Sequence, residues 1–138
     1  MSQMHDQVIL ETLQKATTEA VAASIAPKLP IKYIGRTFEV PGDQKWLEVV
    51  FIPNNRTGAY WNDEKDYRGL FRLILHWKND DAGAYEPMRV LASVCSWFSK
   101  DRLLSGVQIS DNPDASGVIE NGSENLFPAT IRYQSFRR

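Results

Sequence analysis

The chain has 138 residues, 43% of them hydrophobic and 24% charged, and its 16 Lys and Arg against 17 Asp and Glu leave a net charge of -1. That size suits one domain spanning 1–138 with core enough to need no disulfide or metal, and the lone Cys95 rules out an intramolecular disulfide and fits a reducing compartment. The charge balance excludes a protein whose main task is gripping nucleic acid, while the lack of a signal-like start or a run of ~20 apolar residues indicates a soluble, cytosolic chain.

The N-terminal segment, 3–26, has helical composition. Ile9, Leu13, Ala16 and Ala20 recur at helical spacing, with Leu10, Val21 and Ile25 on flanking rows, until Pro27 and Pro30 stop the helix. Their small side chains predict close packing on a flat surface. A short extended piece from Ile31 to Phe38 then reaches a Pro41-Gly42-Asp43 turn. In KWLEVVFIP, Leu47, Val49 and Phe51 share one face, and Trp46, Val50 and Ile52 share the other with Glu48. Apolar on both sides, this strand is expected to be covered on both. From Tyr67 to Lys78 a second alternation puts Phe71, Leu73, Leu75 and Trp77 on one face; Arg68, Arg72 and His76 lie on the other with Leu70 and Ile74. The connection PNNRTGAYWNDEKD is too long for a tight turn, and its Tyr60 and Trp61 suggest packing onto something.

A second helix is expected from Pro87, with Glu86 at its positive end and an apolar stripe of Met88, Leu91, Ala92, Cys95 and Phe98. Leu103 to Ser110 alternates briefly. In SDNPDASGVIENGSEN, the Asn121-Gly122 pair favours a tight hairpin tip. The last strand is ATIRYQSF, from Ala129 to Phe136. This order predicts an α+β fold, a single mainly antiparallel sheet of four to five strands packed with two helices.

Catalytic patterns are sparse. His5 sits near a terminus expected to fray, so a triad or metal cluster would rest on His76. His76 with Asp80, Asp81 and Glu86 lacks the alternating oxygen ligands of a calcium loop. Asp63-Glu64-Lys65 has the D-x-K form of metal-dependent nucleases, yet it lies in an irregular loop and reads as a solvated charge run. Cys95 falls in an apolar stripe and reads as an inert thiol. No Gly-rich phosphate loop opens a helix. No cofactor or metal is expected.

YIGRTFEVPGDQKWLEVVFIPN resembles the opening of small phage proteins grouped with the tail terminators. Gly58 in the following loop, Arg68-Gly69 entering a long strand, a polar break with Gly83, a helix to Phe98 and a final strand with Ile131 and Tyr133 extend the likeness from about Leu10 to Phe136. Where many members have a Pro-containing turn after the long strand, this chain has Lys78-Asn79-Asp80-Asp81. The resemblance implies a lambda-type terminator domain over 1–138, structural rather than enzymatic. It implies a virion protein of the neck, assembled in the host cytoplasm, that caps the tail tube as a ring, typically hexameric. Expected partners are further copies of itself, the tail tube protein and the head–tail connector, with DNA passing through the channel without sequence-specific binding.

A closed ring needs two different patches on each subunit. The loop around Tyr60 and Trp61 is the first candidate, the hairpin around Asn121 the second and the connection from Asn79 to Glu86, with Tyr85, the third. Arg68, Arg72 and His76 on the strand face, with Arg132, complete the expected interface set. Two other readings stand beside this one: a metal-dependent hydrolase using His76 and Asp80 or Asp81, and a monomeric module binding peptide or oligonucleotide on a sheet face.

Overall fold

The computed structural model of the chain describes residues 5–53, 65–79 and 83–137. In chain order its elements are α1 (His5–Ala22), β1 (Ile31–Lys32), β2 (Trp46–Pro53), β3 (Lys65–Lys78) and α2 (Tyr85–Cys95), which runs into a 3-10 turn, Ser96–Phe98. Then come β4 (Leu103–Leu104), β5 (Val107–Ile109), β6 (Asp114–Ala115), β7 (Ile119–Asn121) and β8 (Glu124–Arg137).

The frame is a ladder between β3 and β8. Each has fourteen residues, and they pair antiparallel from Lys65 opposite Arg137 to Lys78 opposite Glu124. β2 pairs antiparallel on the other side of β3, from Trp46 opposite His76 to Pro53 opposite Gly69. Along the far side of β8 run β5, β6 and β7, pieces of one interrupted edge. β1 lies parallel to β2, and β4 folds back on β5.

The α+β class and the two helices agree with the sequence reading. The sheet differs from it: eight strands rather than four or five, with one parallel pairing. Strands of two or three residues are too short to show a period, and β1 ends at Lys32 instead of continuing to Phe38. β8 starts at Glu124, ahead of the expected Ala129, because Pro128 disguises its first half. The Pro128 carbonyl accepts from the Ser116 N–H at 3.0 Å, so its nitrogen faces the interrupted edge, opposite the break between β6 and β7. There its missing N–H removes no rung.

Both helices cover the sheet face that carries Leu47, Val49, Phe71, Leu73, Leu75, Phe127, Ala129, Ile131 and Tyr133, all buried. α1 contributes Ile9, Leu13, Ala16 and Ala20 as expected, together with Val21 and the buried Thr17. The Thr17 hydroxyl donates to the Leu13 carbonyl at 2.8 Å, so the core holds it without an orphaned donor. The helix ends at Ala22, where Ser24 donates to the Val21 carbonyl, and Ile25 is 56% exposed rather than a flanking core row. α2 begins at Tyr85, two residues before the expected start, with Pro87 inside the first turn, where no intrahelical N–H is needed. Its buried row is Pro87, Val90, Leu91 and Val94; Met88, Ala92 and Cys95 line a side groove instead.

Two hairpins obey turn chemistry. Ser105 and Gly106, both at positive φ, make the two-residue turn of β4–β5. At the β7–β8 tip the central residues are Gly122 and Ser123, one place later than the Asn121-Gly122 reading, with Gly122 at φ 66°. Gly69 is fixed by space: a Cβ there would come within 2.5 Å of the Tyr133 hydroxyl and 2.6 Å of the Ile52 carbonyl. Gly69→Ala should therefore lower stability by about 1–3 kcal/mol in urea denaturation. Adding Tyr133→Phe should return part of that loss, because it removes one of the two clashing oxygens.

Candidate assembly interface

The β-strand period of two puts alternate residues of β2, β3 and β8 on the face away from the helices. In rows across the sheet this outer face reads Trp46–His76–Leu126, Glu48–Ile74–Pro128, Val50–Arg72–Thr130 and Ile52–Leu70–Arg132, followed by Arg68–Gln134. No described helix packs on it. The expectation that β2 is covered on both sides therefore holds only near Trp46, since Ile52 is 40% exposed. Val50, Leu70, Ile74 and Leu126 are half-buried, and Arg68 and Arg132 are exposed. Arg72 is half-buried, and its Nε is buried without a hydrogen-bond partner among the described residues. A concavity of about 560 Å³ lies between Ile52, Leu70, Arg68 and Arg132. Apolar surface interrupted by guanidinium groups is the composition of a protein-binding patch, in which Arg is enriched and aliphatic groups exclude water.

At the opposite end of the face His76 is spent internally. Its ring lies flat on Trp46, with centroids 3.7 Å apart and planes 6° from parallel. Phe38 packs on Trp46 in turn at 5.0 Å. Nε2 meets Glu48 Oε1 at 2.8 Å and Nδ1 meets Glu124 Oε1 at 3.3 Å, so one side chain ties β2 and β8 to β3. Only a doubly protonated ring can donate to both carboxylates; a neutral tautomer donates to one. His76 was expected to face solvent or a neighbour, but the structure buries it at 8% exposure. Both nitrogens are engaged, leaving none for a metal unless a carboxylate lets go. Among the described residues no group of three or more His, Cys, Asp or Glu is arranged to hold a metal ion.

The expected interface residues separate. Arg68, Arg72 and Arg132 come together on adjacent rows of the outer face. Tyr85 opens α2 and is 82% exposed, away from that face. Asn121 pairs with Glu124 at the hairpin. Tyr60 and Trp61 lie outside the described residues, as do Asp63, Glu64, Asp80 and Asp81. His5 is not frayed: it is the first residue of α1, stacks edge-on to Tyr67 at 4.4 Å and bonds Ser135 at 2.9 Å. Ser135 in turn donates to the Gly106 carbonyl, so the start of α1 is anchored to β8. Cys95 is half-buried, and burial pushes its thiol up to about 12, which keeps it protonated and inert at neutral pH. Sequence reasoning missed the partners of His76, because Glu48 and Glu124 lie 28 and 48 residues from it.

The family model for the phage tail terminator protein matches residues 9–133. The chain belongs to the phage tail terminator family. This gives the terminator fold a structural role in the phage tail, among proteins that contact other tail or head components. Among the solved structures that match, one does so with a TM-score of 0.80 over 96% of each chain at 18% identity, a likeness of fold. No curated protein sequence matches. No described helix of this terminator-family chain is long and apolar enough to cross a membrane.

The His76 clamp gives a prediction for folding. His76→Ala removes the stacked ring and leaves Glu48 and Glu124 without their shared donor. Stability should fall by about 2–4 kcal/mol in chemical denaturation.

Proposed function

We propose that the protein is a non-enzymatic ring component of the phage neck, acting as one domain over 1–138. Copies close into a homo-oligomeric ring, six in the form implied by the family resemblance. The ring caps the tail tube and gives the head connector its attachment surface. DNA passes through the channel without sequence-specific binding, in keeping with a net charge of -1.

The observation that carries this reading is the outer sheet face. A sheet normally buries its apolar face under another layer. Here Val50, Leu70 and Ile74 stay half-buried and Ile52 exposed, around Arg68, Arg72 and Arg132, with no described helix above them. Such a face suits a neighbouring subunit or the tube. Tyr60, Trp61, Tyr85 and Asn121 are further contact residues in this reading. The hydrolase alternative is weakened because both nitrogens of His76 are already bound by Glu48 and Glu124.

The test is assembly. Light scattering of the purified protein should give the mass of a ring. Arg132→Glu, and separately Tyr60→Ala with Trp61→Ala, should raise the concentration needed for assembly at least tenfold while circular dichroism stays unchanged. Substituted chains that assemble at the parent concentration would remove those residues from the interface. A parent that stays monomeric at all concentrations would remove the ring.

A further inference from the structure

The two edges of the sheet are open in complementary ways. Leu47 donates its N–H to the Pro30 carbonyl at 2.9 Å, so its backbone faces away from β3. By alternation Val49 and Phe51 face the same way. β1 pairs Ile31 with Leu47 and Lys32 with Glu48, a parallel register in which the Lys32 carbonyl accepts from the Val49 N–H, and no described strand continues beyond it. The Val49 carbonyl and the N–H and C=O groups of Phe51 therefore form a short open edge, closed off by Pro53, which has no N–H to offer.

At the other end, the Arg132 and Pro128 carbonyls accept from Ser110 and Ser116, so even-numbered residues of β8 face β6 and β7. The partners of Thr130, Leu126 and Glu124 are Asp114, Ile119 and Asn121, which face inward. Ala115 and Glu120 therefore turn outward, and no described strand covers them. The apolar and charged groups match as well. Beside the first edge lie Ile52, 40% exposed, and on the next strand Arg68 and Arg72; along the second lie Ile119, 51% exposed, and the exposed Asp111, Asp114 and Glu120.

We infer that successive copies join edge to edge, the Val49–Phe51 edge of one pairing with the Ala115–Glu120 edge of the next, so that the sheet continues from subunit to subunit. The inference rests on the ring reading and specifies its contact. Unpaired strand edges take extended backbone as their partner. The carboxylates of one edge answer the arginines beside the other. Two different edges at opposite ends of one sheet give the head-to-tail contact that closes a ring.

Amide hydrogen exchange tests this, using the full chain as assembled rings and as subunits dissociated by dilution. The Phe51, Ala115 and Glu120 amides should exchange at least tenfold more slowly in rings, whereas Val49 and Val50, already paired with β1 and β3, should change little. Glu120→Pro, which removes an outward N–H and leaves the β7 rungs to β8 in place, should fold normally and assemble only at tenfold higher concentration. Rings whose three amides exchange as fast as in subunits would overturn the pairing and leave the ring reading intact. So would Glu120→Pro rings forming at the parent concentration, or protection appearing only when tail tubes are added. If no ring forms at any concentration, the ring reading fails and the pairing with it.

Discussion

The structure depends on the fourteen-residue ladder between β3 and β8. Neither strand is hydrophobic throughout, so neither could sit in the middle of a fully enclosed sheet. Each keeps its fully buried large apolar side chains on one face, and a one-residue slip would carry Phe71, Leu73 and Leu75 to the arginine side. That requirement locks the register, and the register decides which face the helices can bury. α1 and α2 then cover the buried apolar face, using small residues such as Ala16 and Ala20 where the helix lies close to its neighbours.

What the ladder leaves uncovered is the outer face. One end of it is made rigid by the stack of Phe38, Trp46 and His76 and by the two carboxylates that hold the histidine. The other end carries guanidinium groups among half-buried aliphatic side chains, with the Arg72 Nε lacking a hydrogen-bond partner among the described residues. A buried donor without a partner is costly, and an acceptor on another protein would relieve it. Stability is thus concentrated around His76, and the proposed contact surface lies around Arg68, Arg72 and Arg132. For a protein of the tail terminator family, whose role is structural, this division suits a part that must keep its shape while others press on it.

Much of this was legible in the sequence where local physics decides. Period-two alternation identified β3 and the two faces it presents, and helical spacing found the buried row of α1. Legibility failed where the signal is weak or distant. Pro128 hid the first half of β8, since its tolerance depends on a break in a neighbouring edge. β1, β6 and β7 are too short to show a period. α2 was read with its buried stripe rotated, because Met88, Ala92 and Cys95 are apolar enough to pass for core while lining a groove. The role of His76 was not readable, since a histidine among apolar residues does not announce carboxylates that fold brings from two other strands. The arginine cluster was legible as a face, and its position beside an open strand edge was not.

Electron microscopy of the purified protein, alone and mixed with tail tubes, tests the central claim most directly. The account predicts closed rings of several copies and extra density capping one end of each tube. Particles that remain monomeric and leave the tube ends bare would contradict it.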